Sequence, residues 1–273
     1  MTVSAPSIRA RKRRGGSAPI VMVTAYDEPG ARFASAAGVD MILVGDSLAN
    51  VVLGQENTLA VTVDQMCHHV RAVAAAKPEA HVVADMPWLS YHSGADDAVR
   101  NAAALVRSGA HSVKLEGGLN RLAVVRAILD AEIPVMGHIG LTPQSVMAMG
   151  GFKVQAKTVE AAALLTDSAR RLEDEGVYAI VLEGVPSIVG RRITEALEIP
   201  TIGIGAGPDT DGQVLVFHDL LGMTNRTPAK FVRRYGDLGT LITDSIARYA
   251  ADVRSGAFPN ESEAYANPEE LLD

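Results

Sequence analysis

The sequence predicts a single (β/α)8 barrel with an N-terminal arm or helix and a C-terminal helical extension. Three observations carry this. Eight short apolar runs recur along the chain, Ala- and Leu-rich stretches of helical character separate them, and acidic residues stand where several runs end. A run of about four to six apolar residues closed by turn residues reads as a parallel strand buried on both faces. The runs lie at residues 20–24, 41–44, 82–84, 112–115, 134–137, 178–182, 201–204 and 214–217. Eight such units close a barrel, whereas doubly wound sheets usually have fewer strands.

The elements follow in order. Residues 1–19 form a basic arm whose residues 9–14 read RARKRR. A charge run of this kind is read as a solvated arm or helix face before it is read as a nucleic-acid patch. After the first run, Asp27-Glu28-Pro29 has the form of a helix start, with Pro in the first turn. Thr62 and Gln65 form a capping-box pair, followed by an Ala-rich helix that stops at Lys77-Pro78. Gly38-Val39, Gly109-Ala110 and Gly176-Val177 each close a helix and open a strand, because Gly accepts the left-handed backbone of a helix end. These echoes recur roughly every 70 residues, or two βα units of the size a barrel implies. Ile133-Pro134 and Ile199-Pro200 precede alternate strands. Residues 139–157 are too long for a simple turn and hold Gly150-Gly151 at their centre; a connection of this length reads as a lid or substrate loop. The run 203–207, GIGAG, is either a phosphate cradle or a tight turn that needs small residues. From Pro228 the chain reads as further helix. The barrel is assigned to residues 20–254 and an acidic, loose tail to 255–273.

Composition bounds the function. The chain has 273 residues, 48% hydrophobic and 21% charged, enough for one large core. Its formal charge of −7 argues against nucleic acid or an anionic membrane as partner. Cys67 is the only cysteine, which rules out a disulfide within the chain and fits a reducing compartment. No run approaches the roughly 18 apolar residues of a membrane span, and the basic N-terminus lacks the apolar stretch of a secretory signal. Cytoplasm is the expected compartment.

Four acids carry the chemistry: Asp46 in LVGDS, Asp85 in VVADMP, Glu116 in VKLEGG and Glu183 in IVLEGV. In α/β barrels the active site is built at the C-terminal ends of the strands. Carboxylates aimed at one volume repel unless a cation intervenes, and magnesium takes one or two carboxylates while keeping positions for water and substrate. Asp46 and Asp85 are therefore candidate ligands, with Glu116 a third, direct or through water. Helix capping by these acids or by Ser47 is the competing reading. Lys114 stands two residues before Glu116, so both share one face of the strand. A buried lysine needs a partner, either an anionic substrate group or a carboxylate. Glu183 ends the sixth strand, across the barrel from strands two to four, and suits a general base. His138 ends the fifth strand and reads as a second donor or as a structural histidine. Trp88 walls the site or simply packs. HExxH, GxSxG, Walker and GxGxxG patterns are absent.

At these residues the chain resembles a known family. TAYD (24–27), VGDSL (44–48), ADMP (84–87), VKLEGG (113–118), GHIGLTPQSV (137–146), GGFKVQ (150–155), EGVP (183–186), IPTIGIGAG (199–207) and DGQVLVFHDLLG (211–222) are similar to ketopantoate hydroxymethyltransferases over roughly residues 6–258. The family often has Cys after its catalytic glutamate, where this chain has Gly184. The resemblance implies a (β/α)8 barrel that transfers a one-carbon unit from 5,10-methylenetetrahydrofolate to 3-methyl-2-oxobutanoate, giving 2-dehydropantoate. It implies Mg2+ on Asp46, Asp85 and Glu116, substrate contacts from Asp46, Ser47, Asp85 and Lys114, Glu183 as general base, and a homodecamer. Two other readings stand beside it. One is a magnesium lyase or phosphomutase of the isocitrate lyase and phosphoenolpyruvate mutase type, whose lyase chemistry calls for a cysteine in the lid loop. The other is a non-catalytic barrel that binds a metal or metabolite.

Overall fold

The structure is a computed structural model and describes residues 3–12 and 18–265. These fall into two compact units, one of residues 3–12, 18–217 and 228–232, the other of residues 218–227 and 233–265. The first is a closed, all-parallel barrel with strands in chain order: β1 (Ile20–Thr24), β2 (Met41–Val44), β3 (His81–Asp85), β4 (Ser112–Glu116), β5 (Val135–Gly140), β6 (Ala179–Glu183), β7 (Thr201–Ile204) and β8 (Gly212–Leu215). The helices are α1 (Ala5–Arg9), α2 (Glu28–Ala36), α3 (Leu48–Val51), α4 (Val63–Ala75), α5 (Ala95–Arg107), α6 (Leu122–Asp130), α7 (Val146–Met149), α8 (Val159–Glu175), α9 (Ser187–Ala196), α10 (Phe217–Leu220) and α11 (Leu238–Ser255). No helix among the described residues is long and apolar enough to cross a membrane.

Local signals act as their chemistry dictates. Asp27 caps α2 by accepting the Gly30 N–H, and Thr62 and Gln65 form a reciprocal capping box on α4. Gly38, Gly109 and Gly176 all have positive φ. At Gly109 a Cβ would meet that of Ala74 at 2.5 Å, so close packing also demands glycine there.

Two expectations around the last strand differ. The last strand begins at Gly212, two residues before its apolar run, because the Gly212 backbone lies against Ile20: a Cβ there would meet the Ile20 carbonyl oxygen at 2.5 Å. The β7–β8 connection, residues 205–211, carries no helix. Its glycines serve a tight turn: a Cβ on Gly205 would meet Phe231 at 2.6 Å, and one on Gly207 would meet Ser187 at 2.5 Å.

Strand alternation fills the barrel interior in layers. The lower layers hold Ile20, Met22, Met41, Leu43, Val83, Met136, Ala179, Val181, Ile202 and Val214. Ala5 and Ile8 of α1 join this core. The expected solvated basic run is instead tied down where it is described. Arg9 donates to the Val177 carbonyl at 3.0 Å, Arg11 pairs with Asp40, and Lys12 pairs with Asp211 at 2.9 Å. Arg13 and Arg14 of that run lie outside the described residues, as do residues 266–273 of the expected tail.

In the second unit, α11 has no buried residue. Ile242, Ile246, Tyr249 and Val253, spaced to share one helix face, are all exposed.

Candidate active site

The upper interior layer is polar. Register pairs Asp85 with Lys114 across β3 and β4, Glu116 with His138 across β4 and β5, and Gly140 with Glu183 across β5 and β6. Their inward neighbours one layer down are Val83, Ser112, Met136 and Val181, so the same period-two alternation that builds the core delivers the acids to the C-terminal mouth.

Asp46 arrives from the turn after β2. Gly45 permits a close approach, since a Cβ there would meet Ser47 Oγ at 2.9 Å and Asp85 Oδ2 at 3.4 Å. The Asp46 N–H donates to Asp85 Oδ2 at 3.0 Å. Ser47 occupies the N-cap of α3 but makes no capping bond; its Oγ lies 2.9 Å from Tyr26 Oη. None of the four acids caps the helix that follows its strand. The capping reading is therefore set aside for Asp46, Ser47, Asp85, Glu116 and Glu183.

The site is dry and crowded with charge. Asp46, Asp85, Lys114, Glu116 and His138 are each no more than 4% exposed. Lys114 Nζ lies 2.6 Å from Asp85 Oδ1 and 3.1 Å from His138 Nδ1. His138 Nε2 lies 3.2 Å from Glu183 Oε2, and its Nδ1 lies 3.5 Å from Glu116 Oε1. Burial, then Asp85 and Glu116, push the Asp46 carboxyl well above the ordinary range, against the pull of Lys114 and Gln144. Burial also raises Asp85, although Lys114 opposes it. Burial disfavours the Lys114 ammonium, but Asp85, Glu116 and Asp46 outweigh it and raise its pKa. His138 is held down by burial and Lys114, yet Glu116 and Glu183 lift it to about 9.

All the sequence-derived candidates thus converge, with His138 linking the Glu116 side to Glu183. His138 stands between Glu116 and Glu183, buried beside Lys114. Gln144 and Tyr91 were not legible in advance. Both are buried here: Tyr91 Oη donates to Gln144 Oε1 at 2.6 Å, and Gln144 Nε2 donates to Asp46 Oδ2 at 2.8 Å. The long loop begins as strand, passes through a 3-10 turn at Pro143–Ser145 and α7, and exposes Met147, Phe152 and Val154. Trp88 is 39% exposed in the β3–α5 loop. Cys67 is buried in α4, not in the long loop.

The donor set is all oxygen on the acidic side, which suits a hard cation. Three carboxylates there face one ammonium, and a divalent charge would offset both the burial and, to a smaller degree, the mutual repulsion that raise Asp46 and Asp85. Among the described residues no group of three or more His, Cys, Asp or Glu is arranged to hold a metal ion.

A closed barrel with a dry constellation of acids, a lysine and a histidine at the C-terminal ends of its strands defines a barrel enzyme. The profile of the ketopantoate hydroxymethyltransferase family matches residues 2–261. The 3-methyl-2-oxobutanoate hydroxymethyltransferase 2 of Bradyrhizobium diazoefficiens is 53% identical over 98% of this chain and 91% of its own length. The 3-methyl-2-oxobutanoate hydroxymethyltransferase of Syntrophomonas wolfei is 53% identical over 99% and 98%. The chain belongs to the ketopantoate hydroxymethyltransferase family and is a transferase. Similar solved structures include 2,3-dimethylmalate lyase, a PEP mutase/isocitrate lyase superfamily member, with TM-score 0.59 and 19% identity over 100% of this chain and 94% of that one. Phosphonopyruvate hydrolase in complex with oxalate and Mg++ aligns with TM-score 0.62 and 14% identity over the same shares. At those identities the likeness concerns the fold alone.

Proposed function

We propose that the protein transfers a hydroxymethyl group from 5,10-methylenetetrahydrofolate to 3-methyl-2-oxobutanoate, giving 2-dehydropantoate and tetrahydrofolate in pantothenate biosynthesis. The observation that carries this is the division of the site. Asp46, Asp85, Glu116 and Lys114 gather on β2–β4, and Glu183 faces them from β6 through His138. Such a division suits removal of a proton from carbon beside a carbonyl.

Asp46 and Asp85, with Glu116 directly or through water, would hold Mg2+. When bound, the ion supplies Lewis acidity to the oxo acid's oxygens, stabilising the charge that develops as C3 loses its proton. Lys114, held by Asp85, adds a fixed positive charge beside the same anion. Asp46, Ser47 and Asp85 orient the oxo acid, with Ser47 set by Tyr26. Glu183 Oε accepts the C3 proton, and His138 keeps that carboxylate aimed inward. The C3 carbanion equivalent bonds to the methylene carbon, and one water is consumed: both C–N bonds of the methylene bridge break, the two folate nitrogens take up protons to give tetrahydrofolate, and the carbon ends bonded to C3 and to the water's oxygen as CH2OH. The dry surroundings strengthen each charge interaction.

The alternative lyase chemistry lacks support, because the chain's only thiol is buried in α4. The buried single cysteine fits a cytoplasmic setting, and the exposed apolar face of α11 fits assembly into the homodecamer that the family resemblance implies. The direct test incubates the full chain with Mg2+, 5,10-methylenetetrahydrofolate and 3-methyl-2-oxobutanoate and follows 2-dehydropantoate by mass spectrometry. Absence of product with a folded, Mg2+-loaded protein would overturn the proposal.

A further inference from the structure

Gln144 is a loop residue, yet it is 4% exposed and every polar group of its side chain is engaged. Its Nε2 donates to Asp46 Oδ2 at 2.8 Å and to the Met86 carbonyl at 3.0 Å. Its backbone N–H donates to Glu116 Oε2 at 2.9 Å. One residue therefore takes one oxygen from each of two acids that stand on different elements. This leaves Asp46 Oδ1, and Glu116 Oε1 beside His138 Nδ1 at 3.5 Å, as the oxygens each acid can turn to the centre of the site.

The direction of the amide is not arbitrary. A carboxamide can present either its oxygen or its NH2, and only the NH2 can bond a carboxylate. Tyr91 decides between them. Its hydroxyl accepts the Glu116 N–H at 3.2 Å, and its single proton goes to Gln144 Oε1 at 2.6 Å. With Oε1 fixed on the tyrosine, Nε2 must face Asp46. Tyr91 is itself fully buried. The chain of bonds thus runs from the β4 backbone through Tyr91 and Gln144 to Asp46, and fastens the start of the long loop over the acidic side.

We propose that Gln144 is a positioning residue, oriented by Tyr91, that fixes Asp46 and Glu116 so that their remaining oxygens are presented together to the divalent cation and the oxo acid. This rests on the proposed reading of the site. A residue that merely packed there would contribute to stability without setting the affinity for a cation.

The test uses Mn2+ as a spectroscopic probe for Mg2+. Its binding to the full chain is read from water-proton relaxation without turnover, beside the melting temperature and steady-state kinetics. Gln144→Leu keeps the bulk and the backbone N–H but loses the amide. One lost hydrogen bond to a charged group predicts roughly tenfold weaker Mn2+ binding, with a raised KM for the oxo acid and an unchanged KM for the folate. Tyr91→Phe, which leaves the amide free to turn, should move the same quantities in the same direction by a smaller factor of about three. If Gln144→Leu does not fold, Tyr91→Phe carries the test alone. Wild-type protein that binds Mn2+ with an affinity shared by the folded variants overturns this proposal and leaves the reading of the site intact. Wild-type protein that takes up no Mn2+ overturns both.

Discussion

Lys114 Nζ lies 2.6 Å from Asp85 Oδ1, and the two residues are register partners on β3 and β4. Neither side chain is more than 4% exposed. The pair is thus locked by the sheet, and removing either member strands the other in a dry interior.

Asp85→Ala should therefore cost stability as well as function. Leaving a buried charge without its partner typically costs about 3–5 kcal/mol. Urea unfolding should show a loss of that order, and calorimetry should show weaker binding of both Mg2+ and 3-methyl-2-oxobutanoate. Wild-type affinity for both would remove Asp85 from the ligand set.

Glu183→Gln preserves shape and removes the proton acceptor. The oxo acid should still bind, while exchange of its C3 hydrogen with deuterated water should slow by about 10²–10⁴-fold. NMR of the oxo acid incubated with the variant reads this directly, and exchange at the wild-type rate would take the base role from Glu183.

Cation uptake should be linked to protons. Asp46 and Asp85 are raised in the ion-free site, so each favours its protonated form more than an ordinary carboxyl does. Entry of a divalent ion requires the ionised forms, so binding should release protons and strengthen as pH rises. Calorimetry in buffers of different ionisation enthalpy measures that release; an identical binding heat in all of them would contradict it. Chelator should abolish turnover and Mg2+ should restore it.

Acid should loosen the barrel from its lower end. His81 is pulled down to about 4 by burial, with the Val3 carbonyl opposing and His111 adding to the effect. Its folded pKa lies below its unfolded value, so the unfolded chain takes up the proton first. The associated stability is present above about pH 6.5, declines as pH falls towards 4, and is on the order of 3 kcal/mol in full. Urea midpoints at pH 7 and pH 5 should differ for wild type and differ less for His81→Gln, which lacks the titrating ring.

Much of this was legible because a βα barrel writes itself locally. The runs at β1, β2 and β7 stand where their apolar residues are, and the cap residues Asp27 and Thr62 bond within their own first turns. The strand-end acids announced a site because the fold fixes which end of a strand faces the mouth. Long-range contacts were silent. Gln144 and Tyr91 are separated by 53 residues, and a glutamine in a loop gives no sign that it is buried. His138 was marked by its place at the end of β5, but sequence left it between a donor and a structural histidine until β4 and β6 set Glu116 and Glu183 on either side of it. The early start of β8 was hidden for a similar reason, since glycine and glutamine read as turn until the β1 backbone lies against them.

The short helix α1 gives the barrel a stopper. Ala5 and Ile8 press into the lower core, and hydrogen bonds and ion pairs fasten this segment to the lower ends of β2, β3, β6 and β8. The acids instead lie at the opposite, C-terminal ends of the strands, where the long loop begins.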